Sequence, residues 1–236
     1  MPGFRKKNFF ILHLFLFFLF FLILIPVNLY AQEEINKPFP VSFTAQGRTI
    51  NGYMVVPSHS KNAAIVWAQG YGARANECLD DLQVIASKGF VGLCIDYRDY
   101  YDLIYAVQYL EKHEYVDKTK IGMIGFSLGA ESAIFVSEYI PLRAVVEISG
   151  ACIVDGKYFP DENSSPLKYI KLVKCPIVIF HSKGDPKVSV ENAYALEKAL
   201  KAAGKKVKME IFPYDTHWPG GNETLLKAID YIKNPI

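Results

Sequence analysis

The sequence has few cysteines and almost no excess charge of either sign. Its four cysteines include no C-x-x-C pair, a common spacing of zinc and redox sites, so we predict neither a metal nor a redox cofactor. The 26 Lys and Arg residues nearly balance the 24 Asp and Glu residues, so the chain lacks the basic surface that binds nucleic acids. We therefore expect no cofactor, no metal ion and no nucleic-acid partner.

The N-terminal segment carries the one long apolar run. Residues 9–27 are almost wholly apolar, follow the basic residues 5–7, and lead through Ala31 into a polar stretch. This order is typical of an export signal, and we expect cleavage after Ala31. The run also approaches the roughly 20 residues of a membrane span, so a retained anchor is the alternative. Either way, residues 32–236 are predicted to be one exported domain, periplasmic or secreted, with the basic end left inside.

Export would expose the cysteines to oxidation. Cys94 and Cys175 lie in or beside apolar segments that we predict to be strands, where buried free thiols are common. We therefore expect structural thiols. If one pair bonds, we expect it to be Cys78–Cys94.

Short apolar segments alternate with helical patterns along the rest of the chain, which predicts a doubly wound α/β sheet. Most of these segments are apolar throughout, as in parallel strands buried on both faces. An antiparallel hairpin at 41–45 and 49–56 adds strands at one edge. The predicted strands that follow are 63–68, 91–96, 121–126, 144–149, 177–181 and 206–212, and the predicted helices are 76–88, 99–113, 128–138, 189–203 and 221–233. The long irregular stretch at 150–173 is too short for a large lid domain.

Residues 125–129 match the pattern G-x-S-x-G between a predicted strand and a predicted helix. The chain must turn sharply there, in a strained conformation that lifts the Ser127 hydroxyl above the sheet edge. We predict that Ser127 is a nucleophile. The alternative is a serine that only caps the helix.

His217 and Asp185 are the predicted partners of this serine, which needs a base to become a good nucleophile. His217 follows the last predicted strand, and Asp185 lies on a Gly-Asp-Pro turn after the preceding strand. Both loops open at the same sheet edge as Ser127. The alternatives are His181, expected beneath the site, and Asp215, only two residues from the base.

Two backbone N–H groups are predicted to stabilise an oxyanion at this edge. Leu128 begins the helix after the serine, and Tyr71 lies between two glycines after the first buried strand. Tyr97 and Trp218 are predicted to line a substrate pocket. The alternative is that these aromatic residues belong to the core.

Several segments resemble the dienelactone hydrolase-like branch of the α/β-hydrolases. They are the residues around Ser127 (122–129), the acid turn (184–188) with the segment 203–207 that follows its helix, and Phe212-Pro213 before His217. The resemblance spans roughly residues 45–235. It implies the α/β-hydrolase fold, no metal, an ester-type substrate, Ser127, Asp185 and His217 as a catalytic triad, and Tyr71 and Leu128 as the oxyanion hole.

The sequence departs from that branch at three positions. Ser127 replaces the cysteine of dienelactone hydrolase itself, Gln69 stands where many relatives have histidine, and Ala130 stands where a third glycine is common. The serine makes a general esterase a better prediction than dienelactone hydrolysis.

We predict a serine hydrolase that cleaves small or short-acyl carboxylic esters through an acyl-enzyme, with little or no lid. Its partner would be a small ester, with membrane contact only through a retained N-terminal segment. A peptidase or thioesterase that uses the same triad is the alternative, followed by a non-catalytic binding protein of the same fold.

Overall fold

A computed structural model of the protein describes residues 36–154, 158–159, 161 and 163–236. In this part of the chain, eight strands form one sheet in the order β1-β2-β4-β3-β5-β6-β7-β8. The strands are β1 (Phe39–Ala45), β2 (Arg48–Val55), β3 (Asn62–Ala68), β4 (Val91–Ile95), β5 (Val116–Phe126), β6 (Val145–Ile148), β7 (Ile177–Ser182) and β8 (Val207–Phe212). The predicted N-terminal segment, with its cleavage site at Ala31, lies outside the described residues.

The predicted hairpin is confirmed at one edge of the sheet. β1 pairs antiparallel with β2, and β2 pairs antiparallel with β4. The two turn residues, Gln46 and Gly47, both have positive φ angles, of 50° and 73°. Such a two-residue turn matches the twist of the strands that it joins.

The other pairs are parallel, from β4 through β3, β5, β6 and β7 to β8. The helices are α1 (Leu79–Ser87), α2 (Tyr100–Glu111), α3 (Leu128–Tyr139), α4 (Glu191–Ala202) and α5 (Gly221–Lys233). Leu103, Ala133 and Leu196 of α2, α3 and α4 belong to one apolar core, and residues of α1 and α5 belong to a second. The sheet is therefore covered on both faces, as its apolar strands predicted.

Most element boundaries differ from the predictions by one or two residues, and three differences are larger. The helix expected at 76 begins at Leu79, because the short 3-10 helix Ala75–Glu77 precedes it. The strand expected at 121 begins at Val116, where polar residues hid its start. The irregular stretch contains a 3-10 helix, Pro166–Leu172, which Ser165 caps through its hydroxyl.

All four cysteines are buried free thiols, so the conditional pair Cys78–Cys94 is not bonded in this structure.

Among the described residues, we found no helix with the length and apolar character needed to cross a membrane.

Candidate active site

Ser127 occupies a sharp turn between β5 and α3. Its dihedral angles are φ 55° and ψ −119°, which a non-glycine residue rarely adopts unless its surroundings enforce them. Its N–H donates to the carbonyl oxygen of Ile148 at 2.8 Å. A Cβ at Gly125 would lie 2.2 Å from the carbonyl oxygen of Gly129, and one at Gly129 would lie 1.9 Å from that of Ala68. Any side chain at either position would therefore clash with neighbouring backbone, so the turn requires glycine at both.

The structure brings Ser127, His217 and Asp185 into one hydrogen-bonded chain. His217 Nε2 lies 2.9 Å from Ser127 Oγ, and His217 Nδ1 lies 2.7 Å from Asp185 Oδ2. Because a carboxylate only accepts, Nδ1 carries the ring proton and Nε2 is left to accept from the serine hydroxyl. The Asp185 side chain is fully buried, and that of His217 is 11% exposed. In this arrangement an imidazole can take the hydroxyl proton while the carboxylate stabilises the imidazolium.

The two carboxylate oxygens of Asp185 have separate partners. Oδ2 faces His217, while Oδ1 accepts from the backbone N–H groups of Lys187 at 2.8 Å and Val188 at 3.0 Å. His181, at the end of β7, lies beneath this loop with its Nε2 2.9 Å from the carbonyl oxygen of Val188. Since a carbonyl oxygen only accepts, this nitrogen is protonated and holds the loop in place.

His181 and Asp215, the rival base and acid, are not part of this hydrogen-bonded chain, although His181 Nε2 lies 3.5 Å from Asp185 Oδ2. His181 is fully buried, and burial lowers its pKa. Asp215 packs against the neighbouring turn, since a Cβ at Gly184 would meet Asp215 Oδ1 at 1.9 Å. Within the described ranges, no hydrogen bond joins either rival to Ser127 or His217.

The loop after β3 lies directly beside the nucleophile turn. A Cβ at Gly70 would be 3.2 Å from the Phe126 ring and 3.5 Å from Ser127 Cβ. Tyr71 and Leu128 line the cavity into which Ser127 opens. Leu128 is the first residue of α3, where backbone N–H groups have no partner within the helix. Both predicted oxyanion donors therefore belong to segments that border the nucleophile.

Gln69 anchors this loop, a role that sequence reasoning missed. Its buried side chain donates from Nε2 to the carbonyl oxygen of Ile95 at 2.8 Å and accepts at Oε1 from the Cys94 thiol at 3.2 Å. Its own carbonyl oxygen accepts from the Tyr97 hydroxyl at 2.5 Å. The residue that precedes Gly70 is thus held through both its main chain and its side chain.

Ser127 opens into a cavity of about 810 Å³. Trp218 lines this cavity, with its ring edge-on to Phe126 at a centroid distance of 5.0 Å. Tyr97 does not line it. Because the Tyr97 hydroxyl is bound to Gln69, the ring faces a neighbouring cavity of about 550 Å³, which shares the loop after β3 as a wall. Tyr97 therefore acts on the loop rather than on the pocket predicted for it.

Two buried carboxyl groups lie behind the nucleophile turn, and no sequence motif pointed to them. Glu131, one helical turn after Ser127, lines the cavity and accepts from the Ala151 N–H at 3.2 Å. Glu147 in β6 accepts from the Gly150 N–H. Burial raises the pKa of Glu131 to about 7 and that of Glu147 to about 8. Among the residues that the structure describes, no group of three or more His, Cys, Asp or Glu side chains could hold a metal ion.

The model of the dienelactone hydrolase family matches residues 98–218. This match covers just over half of the chain and includes Ser127, Asp185 and His217. It ends before the last helix and begins after the loop that carries Tyr71.

Other known proteins, two of them much longer, also resemble this chain. The uncharacterised peptidase YuxL of Bacillus subtilis is 24% identical over 258 residues, which cover 86% of this chain and 39% of the relative. Dipeptidyl peptidase 4 of Porphyromonas gingivalis has a TM-score of 0.71 at 19% identity, over 84% of this chain and 35% of its own. Est1E from Butyrivibrio proteoclasticus has a TM-score of 0.65 at 18% identity, over 82% and 96%. The chain thus spans about two fifths of its peptidase relative, and the structural neighbours confirm the α/β-hydrolase fold.

Proposed function

This chain belongs to the dienelactone hydrolase family, and from that premise we propose that it is a serine hydrolase that cleaves carboxylic esters through an acyl-enzyme. The observation that carries the proposal is the hydrogen-bonded chain from Ser127 through His217 to Asp185, with links of 2.9 and 2.7 Å. Family membership supports hydrolysis in general. That the substrate is a carboxylic ester goes beyond family membership and is our proposal.

In the first half-reaction, Ser127 Oγ bonds to the ester carbonyl carbon while His217 Nε2 takes the hydroxyl proton. The carbonyl oxygen becomes an oxyanion, to which the backbone N–H groups of Leu128 and Tyr71 donate. The bond to the leaving alcohol then breaks, and Nε2 returns its proton to that alcohol oxygen. The acyl group remains as an ester on Ser127.

Water completes the cycle. His217 Nε2 takes a proton from water as the water oxygen adds to the acyl carbon, and Ser127 then leaves with that proton. In both halves the buried Asp185 carboxylate stabilises the imidazolium and fixes its ring. Each oxyanion donor is expected to contribute roughly 100- to 1000-fold in rate.

The cavity favours small substrates. Its volume of about 810 Å³ lies in the usual range for small-molecule sites. Tyr71 and Leu128 border the site with exposed side chains, so esters with short acyl groups can reach the nucleophile without a large lid moving.

The direct test is hydrolysis of p-nitrophenyl acetate and butyrate by the full chain. Ser127→Ala should lower kcat/KM by roughly 10⁴-fold or more, whereas replacement of the exposed Ser87 by alanine should change nothing. A fluorophosphonate should label the wild type and not Ser127→Ala. Equal rates in wild type and Ser127→Ala, without labelling, would refute the proposal.

A peptidase is the second candidate, because the relative that matches 86% of this chain is named a peptidase. The same triad can cleave an amide when His217 protonates the leaving amine. N-acetylalanine p-nitrophenyl ester and N-acetylalanine p-nitroanilide share one acyl group and separate the two activities. Ser127-dependent cleavage of the anilide at a kcat/KM comparable to that of the ester would favour the peptidase.

Export is also proposed, on the basic start and apolar run before residue 31. N-terminal sequencing of the protein recovered outside the cytoplasm would distinguish cleavage after Ala31 from a retained anchor. Recovery of the full chain in the cytoplasm would contradict both.

A further inference from the structure

An unpaired hydrogen-bond donor lies in the wall of the catalytic cavity next to α1. Trp67, the penultimate residue of β3, lines the cavity and is 4% exposed. Its buried indole Nε1 has no acceptor within the described part of the chain. A buried N–H without an acceptor is unfavourable, so a ligand oxygen that reached it would gain binding energy.

An unpaired acceptor lines the same cavity. Asp81, in the first turn of α1, makes no hydrogen bond or ion pair with any described residue. Burial, with a smaller contribution from Asp80, raises the pKa of Asp81 to about 6, so the carboxylate is mostly ionised at neutral pH. The Cys78 thiol beside it already donates to the carbonyl oxygen of Arg74 at 3.6 Å. A donor for Asp81 must therefore come from a ligand or from water.

An aromatic wall joins this region to the catalytic base. The ring centroids of Trp67 and Trp218 are 6.0 Å apart, and the Phe126 ring lies 4.9 Å from that of His217. The Trp218 N–H donates to the carbonyl oxygen of Gly221 at 3.1 Å, which leaves its ring as an apolar surface. Because Trp218 directly follows His217 and Phe126 contacts both rings, this wall borders the base that would protonate the leaving alcohol.

Additional hydroxyl groups on the leaving alcohol would suit both the unpaired donor of Trp67 and the unpaired acceptor of Asp81. A hydroxyl oxygen can accept from the Trp67 N–H, and a hydroxyl proton can go to Asp81, so the hydroxyls of a polyol suit both groups. An ammonium group would pair with Asp81 but leave the indole N–H unsatisfied, and an alkyl group would leave both unsatisfied. The C–H face of a hydroxylated ring would in turn pack on the Trp218 ring.

We propose that this end of the cavity is a hydroxyl subsite, and that the preferred substrates are short-acyl esters of sugars or other polyols. The inference rests on the proposed esterase function and names the leaving alcohol of that reaction.

The test compares two acetates whose leaving groups are primary alcohols of similar size, 6-O-acetylglucose and cyclohexylmethyl acetate. Acid release by the full chain is followed in a pH-stat. We expect kcat/KM for the sugar ester to exceed that for the cyclohexyl ester by about tenfold or more, since the sugar satisfies two groups that the cyclohexyl ring leaves unpaired.

Matched variants assign this preference to the subsite. Asp81→Asn should reduce the ratio of the two kcat/KM values about tenfold, and Trp67→Phe, which removes the N–H and keeps a ring, about threefold or more. Asp80→Asn removes a neighbouring exposed carboxylate and should leave the ratio unchanged. If Trp67→Phe does not fold, the ratio of the two kcat/KM values in Asp81→Asn decides alone. Asp81 lies on the half-exposed side of α1, so this variant should fold.

The outcomes separate this inference from the proposed function. A ratio near one in wild type, with Ser127-dependent turnover of p-nitrophenyl acetate, overturns the hydroxyl subsite and keeps the esterase. Absence of Ser127-dependent turnover of every ester overturns both. A preference for acetylcholine over both acetates that Asp81→Asn abolishes shows a cation subsite and overturns the hydroxyl assignment.

Discussion

The buried carboxyl of Glu147 should make the protein less stable as the pH rises. Its side chain is 2% exposed, Oε2 has no partner among the described residues, and burial raises its pKa from 4.5 to about 8. The nearby carboxyl of Glu131 adds to the shift. The folded state therefore keeps a proton that the unfolded chain releases above its ordinary pKa.

The magnitude follows from the shift. One pKa unit corresponds to about 1.4 kcal/mol, so the difference between 4.5 and about 8 amounts to on the order of 5 kcal/mol of unfolding free energy. This contribution is fully present below pH 4.5, declines as the pH rises, and is lost above about pH 8.

Glu147→Gln isolates the effect. Glutamine keeps an oxygen for the Gly150 N–H and places its amide NH₂ where the neutral acid has its hydroxyl. Wild type and variant should be similarly stable near about pH 5, and the variant should be more stable by several kcal/mol near about pH 9.

Urea unfolding of the full chain, followed by tryptophan fluorescence at several pH values, measures the difference. Glu111→Gln, at an exposed carboxylate at the end of α2, serves as the control and should show no such trend. A difference between Glu147→Gln and wild type that stays constant with pH would refute the assignment of the proton to Glu147.

Three further substitutions probe the site. Asp185→Asn should lower kcat about 10⁴-fold with little change in KM, because the amide favours the wrong His217 tautomer; a loss below tenfold would contradict the geometry. Gly129→Ala should prevent soluble expression, since its Cβ would lie 1.9 Å from a backbone oxygen of β3, and a folded, active variant would show that the turn can relax. Tyr97→Phe removes the hydrogen bond to the Gln69 carbonyl and should lower kcat for p-nitrophenyl acetate up to about tenfold while KM changes little; a rise in KM alone would instead indicate a role in substrate binding.

The sequence predicted the features that follow from a local pattern or from the order of parallel strands. Ser127 could be placed because a strand, a glycine-flanked turn and a helix are encoded within a few residues. Asp185 and His217 followed because loops after parallel strands share one sheet edge, so topology brings together residues 58 to 90 positions away.

The direction of individual side chains was not predictable. Tyr97 and Trp218 both follow strand ends and are both aromatic, yet Trp218 enters the cavity while the Tyr97 hydroxyl binds a loop carbonyl. Glu131 lies in α3 and Glu147 is the one polar residue of β6, and the partners of both depend on the course of the chain after β6. These outcomes are set by tertiary contacts that leave no periodic pattern in the sequence.

The two-sided bonding of Asp185 links catalysis to the local order of a single loop. One carboxylate oxygen orients His217, and the other closes the turn that positions the carboxylate itself. Any opening of residues 185–188 therefore removes the partner of the imidazole, even while the sheet beneath stays folded. Enzymatic activity should accordingly report a sub-global unfolding event and decline on heating before the loss of β-sheet signal.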